Sequence, residues 1–341
     1  MRSTVANTLP PPAVDGGTRA SAKEAAPISQ LSRLNRDGPD DLFICCTSFE
    51  ERSVSISHKL APTFLTRFGI IFAFEDTFHK EQADTNMFRL QGQLGRHATD
   101  GIFIIRCHRK NPLEGISQLK DIWSHCQPRF HHRSFITVDI SGFPKILILE
   151  LLRYIVDEMK LGLPRLVHTT QEYLPTKLTH GVQQVTTVPN FFGNLSLEKN
   201  TVLVLFLGFE PERCLAVWQH FNPNKTILLL TNPPRQDNQH YLDYARSNNE
   251  YLLSRPGVEV RDVPADNPYK VNIVLERIYS EIKGSHNMVI GPFGTKPQTV
   301  GVFLFCHKHP RVQVVYSLPA RYTRSYLNRK PGVALELPLA P

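Results

Sequence analysis

The chain is poor in the features that would tie it to a metal or to a disulfide framework. Its 341 residues include six cysteines, and no two of them form a C-x-x-C pair. This spacing matches no common zinc signature and gives no disulfide framework. We therefore expect no metal and no cofactor. Cys45, Cys46 and Cys306 lie in apolar runs, which favours a role as small core residues.

Long hydrophobic runs are also missing from the sequence. The longest apolar runs fall well short of the roughly 20 residues that a membrane-spanning helix needs. The N-terminus has no apolar stretch of the kind that a signal peptide carries. We therefore expect a cytoplasmic protein that has no membrane as a partner.

Two glycine-rich nucleotide signatures are absent as well. The Walker spacing G-x-x-x-x-G-K-[ST] does not occur, and no G-x-G-x-x-G follows an early strand of either half. Both absences argue against classical ATP or NAD chemistry.

The composition that remains is that of an ordinary globular protein with a basic excess. Hydrophobic residues make up 41% and charged residues 21% of the chain. The 39 Lys and Arg residues outnumber the 31 Asp and Glu residues, which gives a formal net charge of +8. Such an excess favours an anionic partner, either nucleic acid or a phosphorylated ligand. A mildly basic protein without such a partner is the alternative.

The front of the chain differs in composition from the rest. Residues 1–40 are rich in Pro, Ala, Ser, Gly and Thr and hold few large apolar residues, so we expect a disordered tail. From residue 41 onward, short apolar runs alternate with amphipathic runs of helical spacing. This alternation indicates a parallel sheet that helices cover on both faces. The predicted strands of the first half are Leu42–Cys46, Ile70–Phe74, Ile102–Cys107, Phe135–Ile140 and Leu166–Thr169.

The same order of elements runs a second time. Helices are predicted at Pro112–Cys126 and Pro144–Lys160 in the first half, and at Asn267–Lys283 and from Lys296 in the second. We predict an α/β fold of two tandem Rossmann-like lobes with parallel sheets, which arose by internal duplication. The lobes span residues 41–182 and 201–330, with a linker at 183–200 and a C-terminal tail at 331–341. The strands of the second half are Val202–Leu207, Thr226–Leu230, Val258–Val263, Met288–Ile290 and Val312–Tyr316.

Three short motifs support the duplication. Ser48–Ser53 (SFEERS) corresponds to Gly208–Cys214 (GFEPERC), which has one additional proline. Val138–Lys145 (VDISGFPK) corresponds to Val289–Pro297 (VIGPFGTKP). A third pair, LPRLVHTTQEYLP and HPRVQVVYSLPARY, follows in the same order. Ligands of open parallel sheets bind at the carboxyl ends of the strands, and the first two motif pairs lie there.

The Phe-Glu-x-Arg turns follow the first strand of each lobe. One hypothesis is that Arg52 and Arg213 hold a phosphate or a base while Glu50 and Glu210 orient them. A structural alternative is that each glutamate stabilises the start of its own helix. A third is that Glu50 and Glu210 are catalytic and do acid–base work on a phosphodiester or ribosyl bond.

The second motif pair combines glycines, a lysine and the start of a helix, a combination that favours phosphate. It resembles the strand-loop-helix signature of the CRISPR-associated Rossmann-fold sensor domains, roughly Asp-x-Thr-Gly-Gly-Thr-Lys. The chain departs from that signature at Phe143-Pro144, where Gly-Thr stands in the family, and at Gly291, near the aspartate position of the second lobe. The matching residues are Asp139, Ser141, Gly142 and Lys145 in the first lobe, and Gly294, Thr295 and Lys296 in the second.

This resemblance implies a function. The family binds cyclic or linear oligonucleotide messengers across a two-fold axis, and fused lobes resemble the two-lobed cyclic-nucleotide sensors of bacterial anti-phage systems. It implies a sensor or adaptor in bacterial defence that holds a nucleotide or oligonucleotide ligand between its lobes. A separate effector protein is then a further expected partner.

Two other functions stay open at this point. The Glu/Arg turns would also suit a phosphodiesterase or nucleotide hydrolase. The segment Pro319–Lys330 (PARYTRSYLNRK) mixes Arg, Tyr and Lys, a composition suited to stacking on bases and contacting phosphates. That segment would suit a nucleic-acid-binding scaffold protein, and it is equally typical of a solvated terminus. Cys107–Lys110 (CHRK) follows the third strand and would add positive charge to an anion site.

Overall fold

The structure is a computed structural model that describes residues 28–35, 40–127, 135–171, 177–232, 239–323 and 330–340. Most of the predicted N-terminal tail, and residues 324–329 of the basic segment near the C-terminus, lie outside the described residues.

The described elements alternate between strands and helices, as predicted. The strands are β1 (Ser29–Gln30), β2 (Asp40–Cys46), β3 (Thr66–Phe74), β4 (Ala98–Cys107), β5 (Ile136–Asp139), β6 (Arg165–Gln171), β7 (Thr179–Thr187), β8 (Asn200–Phe206), β9 (Lys225–Asn232), β10 (Val258–Pro264), β11 (His286–Pro292), β12 (Gln313–Tyr322) and β13 (Pro331–Glu336). The helices are α1 (Lys80–Leu94), α2 (Pro112–Cys126), α3 (Lys145–Arg153), α4 (Pro211–Phe221), α5 (Gln239–Asn248), α6 (Glu250–Leu253), α7 (Pro268–Ile282) and α8 (Lys296–Lys308).

Two sheets of mostly parallel strands contain all of these strands. The first has the order β1-β13-β6-β5-β2-β3-β4, and the second has the order β10-β9-β8-β11-β12-β7. Read from opposite ends, β13, β6, β5, β2, β3 and β4 correspond one by one to β7, β12, β11, β8, β9 and β10. The predicted fold class of two Rossmann-like lobes is confirmed. The shared strand order supports the duplication.

The two lobes share one hydrophobic core. Its buried side chains come from the strands of both sheets and from the helices between them. Helices α3 and α8 pack against each other, and nearly every residue from Ile146 to Leu152 and from Pro297 to Cys306 is buried. A helix that is apolar on all sides must be covered on all sides. These two helices therefore lie inside the molecule, where the lobes meet.

Each sheet takes one strand from the other half of the chain. β7, which follows the strands of the first lobe, pairs antiparallel with β12 in the second sheet. β13, which follows the strands of the second lobe, pairs antiparallel with β6 in the first sheet. The lobes thus exchange one strand each, next to β12 in one sheet and next to β6 in the other, which sequence reasoning did not predict.

This exchange changes three of the predicted boundaries. Residues 331–336 form a strand of the first sheet and not a tail, and the predicted linker 183–200 begins inside β7. Within the predicted N-terminal tail, Ser29–Gln30 pairs with β13, and Leu34 is fully buried.

The turn after β2 is not an α-helix, in contrast to the prediction for Glu50 and Arg52. Residues Glu51–Val54 form a short 3-10 helix. The Ser53 hydroxyl donates to the Glu50 carbonyl at 2.7 Å, and such side-chain bonds to nearby carbonyls compete with α-helix formation. In the second lobe, the extra residue Pro211 occupies the first turn of α4, where proline favours a helix start.

The helix predicted at Pro144–Lys160 is divided into two parts. α3 ends at Arg153, and Tyr154–Glu158 continues as a π-helical turn in which the Met159 amide donates to the Tyr154 carbonyl at 2.9 Å. Elsewhere the predicted cores of strands and helices agree with the structure. All six cysteines are free and buried, as expected for the three assigned to the core.

Among the helices of the described ranges, none combines the length and the apolar character needed to span a lipid bilayer.

Shortening the buried Leu335 of β13 to alanine tests whether this strand belongs to the core. We expect Leu335→Ala to lower the free energy of unfolding by about 2–5 kcal/mol, because it leaves a cavity in the shared core. Denaturant unfolding monitored by circular dichroism measures the change. Leu197→Ala, at a fully exposed site, is the control and should leave the unfolding midpoint unchanged. A neutral Leu335→Ala would show that β13 does not pack on the first lobe in solution.

Candidate functional site

A cavity of about 240 Å³ lies between the lobes at the carboxyl ends of their central strands. Its walls come from the segments after β2 and β5 in the first lobe and after β8 and β11 in the second. This is the position at which open parallel sheets bind ligands. The two copies of the same sequence motifs therefore face a common space.

Nine of the eleven predicted site residues line this cavity. They are Glu50, Arg52, Gly142 and Lys145 of the first lobe, and Glu210, Arg213, Gly294, Thr295 and Lys296 of the second. Asp139 and Ser141 are fully buried behind the wall. The residues that were grouped into one predicted site thus lie close together in the structure. Their role in ligand binding stays a prediction.

Glycine is needed where the turns of each lobe cross. A Cβ atom on Gly142 would lie 1.9 Å from the backbone carbonyl oxygen of Cys46, and one on Gly208 would lie 2.7 Å from that of Phe293. Neither separation is compatible with a side chain, so only glycine allows the turns to approach so closely. This contact fixes the Phe-Glu turn beside the lysine turn in both lobes.

The charges of the SFEERS turn have separate partners. Glu50 is buried and forms a salt bridge with Arg52, whose Nε donates to the carboxylate. Glu51 pairs with Arg89 of α1 at 2.7 Å, outside the cavity. The three charges that follow β2 thus have two different roles. One pair faces the cavity, and the third charge attaches the turn to α1.

The second copy uses its charges differently. The buried Arg213 donates from Nη2 to the Ser317 carbonyl at 2.8 Å, which joins α4 to β12. Its guanidinium also lies 4.7 Å from the ring centre of Tyr316. Glu210 accepts a hydrogen bond of 2.9 Å from the Leu178 amide. Arg213 is therefore both a structural link and part of the cavity wall.

Each lysine reaches toward the Glu-Arg turn of the opposite lobe. Lys296 of the second lobe donates a hydrogen bond from Nζ to the Ser141 carbonyl of the first, and among charged groups Arg52 has the largest effect on its pKa. Lys145 of the first lobe interacts electrostatically with Arg213 and Glu210 of the second. The two crossings give the site an approximate two-fold relation that matches the duplication.

Burial and like charges weaken the proton affinity of these lysines. Burial lowers the pKa of Lys296 to about 7, and the Arg52 guanidinium adds to this effect. Burial also lowers the pKa of Lys145 well below its usual range, with Arg213 as the second cause. Burying these two lysines beside Arg52 and Arg213 therefore disfavours their charged forms, and a bound anion would offset this electrostatic repulsion.

Asp139 and Ser141 shape the wall from behind. The Ser141 amide donates to Asp139 Oδ1 at 2.9 Å, and the Ser141 hydroxyl donates to the same oxygen. The Ser141 hydroxyl oxygen also accepts a 2.8 Å hydrogen bond from the Thr169 amide. Burial raises the pKa of Asp139 to about 6, against the effect of these bonds. The two residues therefore hold the turn that presents the Ser141 carbonyl to Lys296.

Thr295 also has a structural partner. Its hydroxyl oxygen accepts from the Gln298 amide at 3.2 Å, and the Gln298 side chain accepts from the Thr295 amide at 2.8 Å, which together form a capping box for α8. The start of α8, and with it the position of Lys296, is fixed by this cap.

His168 is a wall residue that sequence reasoning missed. It lies on β6, is 4% exposed, and its Nδ1 has no hydrogen-bond partner among the described residues. Burial, followed by the charges of Arg52 and Lys296, holds the pKa of His168 well below its usual range, so the imidazole is neutral at pH 7. The sequence signal that could have found it is a histidine directly after the apolar pair Leu166-Val167, within the predicted strand Leu166–Thr169. Such an imidazole offers a bound ligand a neutral hydrogen-bonding group.

Within the part of the chain that the structure describes, no group of three or more His, Cys, Asp or Glu side chains is placed to hold a metal ion. Glu50 and Glu210 are both engaged, one by Arg52 and one by the Leu178 amide. The arrangement of the site suits the binding of an anion with several negative groups.

Comparisons with known proteins are sparse at the level of sequence. No protein-family model matches the chain, and no curated protein matches it. Solved structures do match. One is the structure of Can2 from Sulfobacillus thermosulfidooxidans in complex with cyclic tetra-adenylate, at 15% identity and a TM-score of 0.28, with 36% of each chain covered. Another is a Type III CRISPR defence DNA nuclease activated by cyclic oligoadenylate, at 10% identity and a TM-score of 0.46.

The second match covers 81% of this chain and 65% of the nuclease. This chain therefore spans less than two thirds of the length of either matched protein. The first was solved with cyclic tetra-adenylate bound, and the second is activated by cyclic oligoadenylate. With TM-scores below 0.5, they carry no argument about what this chain binds, which is argued from the site itself.

The influence of Arg52 on Lys296 can be measured directly. We expect Lys296 to titrate near pH 7 in the wild type and at a higher pH in Arg52→Gln, because the variant removes a like charge and leaves Glu50 unpaired. Competitive acylation across a pH series, read by mass spectrometry, reports the midpoint. The exposed Lys80 is the internal control and should react alike in both proteins. An unchanged or lower midpoint for Lys296 would contradict the electrostatic description of the site.

Proposed function

We propose that the chain binds a nucleotide or a small cyclic oligonucleotide between its two lobes and acts as a sensor or adaptor. The proposal rests on one observation. Two Arg and Lys pairs, contributed symmetrically by the two lobes, line one cavity at the carboxyl ends of both sheets. Phosphates are the anions that such cations and helix starts favour. A ligand with at least two phosphates would reach both pairs.

The two-fold relation of the site favours a ligand that has repeated units. Arg52 with Lys296, and Arg213 with Lys145, form equivalent anion positions on the two sides of the cavity. A cyclic oligonucleotide offers equivalent phosphates to both positions. The cyclic oligoadenylates named for the two matched structures belong to this chemical class.

The defence setting and the effector are proposed from the sequence resemblance. Binding at the cavity would bring the two lobes under a common constraint, since Lys296 donates to the opposite lobe and Lys145 interacts electrostatically with it. A separate effector protein would then respond to the changed relation between the lobes. The resemblance to two-lobed anti-phage sensors supports this order of events.

Loss of the two lysines tests the proposal. We expect Lys145→Ala combined with Lys296→Ala to raise the Kd for the bound nucleotide by at least about 100-fold, because two charge-assisted hydrogen bonds are lost. Isothermal titration calorimetry at pH 6.5 with cyclic di-, tri- and tetranucleotides, cyclic tetra-adenylate among them, measures the effect.

The matched control removes the same net charge elsewhere. Lys80→Ala combined with Lys120→Ala replaces two exposed lysines and should leave the Kd unchanged. The nucleotide recovered after titration should be intact. Turnover that disappears in Glu50→Gln or Glu210→Gln would favour the hydrolase, and no binding by any cyclic nucleotide would refute the proposal.

The lowered lysine pKa values predict a pH dependence of binding. Above pH 7, Lys296 is largely unprotonated in the free protein and must gain a proton when an anion binds. Affinity should therefore fall between pH 7 and pH 9, by up to about tenfold per pH unit for each lysine that takes up a proton. Lys296→Arg, whose side chain stays charged, should flatten this dependence. An affinity that rises with pH in this range would contradict the mechanism.

A further inference from the structure

A second cavity, of about 510 Å³, adjoins the one between the lobes. The two share the lining residues Arg109, Pro144, Tyr316 and Tyr322. Its volume falls in the range of about 300–1,000 Å³ that is typical of small-molecule sites. Because the two cavities share part of their walls, there is room for a ligand in the first cavity to extend into the second.

The wall between the two cavities is built from a cation and two aromatic rings. The guanidinium of Arg109 lies 4.1 Å from the ring centre of Phe78 and 5.7 Å from that of Tyr322. The two rings lie 5.2 Å apart at an angle of 59°. Arg109 is held in place by Asp76, whose carbonyl accepts from Nε at 3.1 Å and whose carboxylate accepts from the Arg109 amide at 2.8 Å.

These groups are suited to the flat face of a nucleobase. Aromatic rings and the planar guanidinium both stack on bases, and every base presents such a face. The rings of Phe49 and Phe78 meet Tyr322 at 69° and 59°. Burial raises the pKa of Tyr322, which keeps its hydroxyl neutral. Tyr322 belongs to the basic and aromatic segment Pro319–Lys330 that the sequence analysis singled out.

In the second lobe, the position that corresponds to Arg109 carries no cation. When the helix starts Asn111-Pro112 and Asn267-Pro268 are matched, Arg109 and Lys110 correspond to Ala265 and Asp266. Ala265 carries no charge, and Asp266 has the opposite sign to Lys110. The approximate two-fold relation of the lysines and arginines is thus broken at this place.

We propose that the Arg109, Phe78 and Tyr322 wall is a stacking subsite for a single nucleobase of the bound oligonucleotide. The inference rests on the proposed function, since it needs an oligonucleotide whose phosphates lie in the first cavity. One base of the ligand is then bound differently from the others. The site selects for an oligonucleotide with a base at that position and not for a symmetric polyanion.

Fluorescence of 2-aminopurine tests this inference, because the fluorescence of that base is quenched when it stacks. The probes are cyclic di-, tri- and tetra-adenylate, each with one adenine replaced by 2-aminopurine. We expect the wild type to quench at least one probe, and Tyr322→Ala and Arg109→Gln each to raise its Kd about 10-fold and to restore fluorescence at saturation. Two variants are used so that a folding defect in one does not decide the result.

The control is a pair of an arginine and a tyrosine ring that lines neither cavity. The guanidinium of Arg255 lies 3.9 Å from the exposed ring of Tyr251, and Tyr251→Ala should change neither Kd nor quenching. Binding and quenching that survive in both Tyr322→Ala and Arg109→Gln would overturn the subsite while the proposed function stands.

The lysine variant separates the two claims further. Quenching that persists at saturation in Lys145→Ala with Lys296→Ala, at a raised Kd, would support both. Undiminished affinity in that double variant, with a loss in Tyr322→Ala, would support the subsite and refute the lysine site. Absence of binding by every probe to the wild type would overturn both.

Discussion

The packing of α3 against α8 is the constraint on which the rest of the structure depends. Both helices are apolar on nearly all sides, and one sheet can cover only one side of a helix. The molecule therefore needs two sheets around the pair. Because Lys145 and Lys296 begin these helices, the same packing sets the distance between the two lysine turns. The geometry of the cavity is thus a consequence of the core.

The charged side chains of the cavity make an unfavourable electrostatic contribution to the stability of the fold. Four cations stand around one space, while Glu50 and Glu210 supply only part of the opposite charge. Backbone carbonyls of Ser141 and Ser317 provide further compensation, one for Lys296 and one for Arg213. Removing charged groups from water without full pairing is unfavourable, so such an arrangement is expected where an anion completes it.

Sequence patterns predicted the ten central strands, because their apolar runs are long and regular. They did not predict β7 and β13, which have few apolar residues and pair with β12 and β6 of the other half of the chain. For the site, duplication identified Arg52, Arg213, Lys145 and Lys296, since a repeated charge after a strand is unusual. His168 has no repeated counterpart and was missed. Asp139 was predicted to face a ligand, but its hydrogen bonds with Ser141 turn it toward the backbone.

The exchange of β7 and β13 between the lobes also bears on how the chain folds. The first sheet is completed only by residues 331–336, which follow the whole second lobe along the chain. Until they are synthesised, the edge of β6 stays unpaired, and an unpaired edge invites wrong pairing. Contacts so distant in sequence form slowly. During translation, the first sheet therefore cannot be completed until the second lobe has been synthesised.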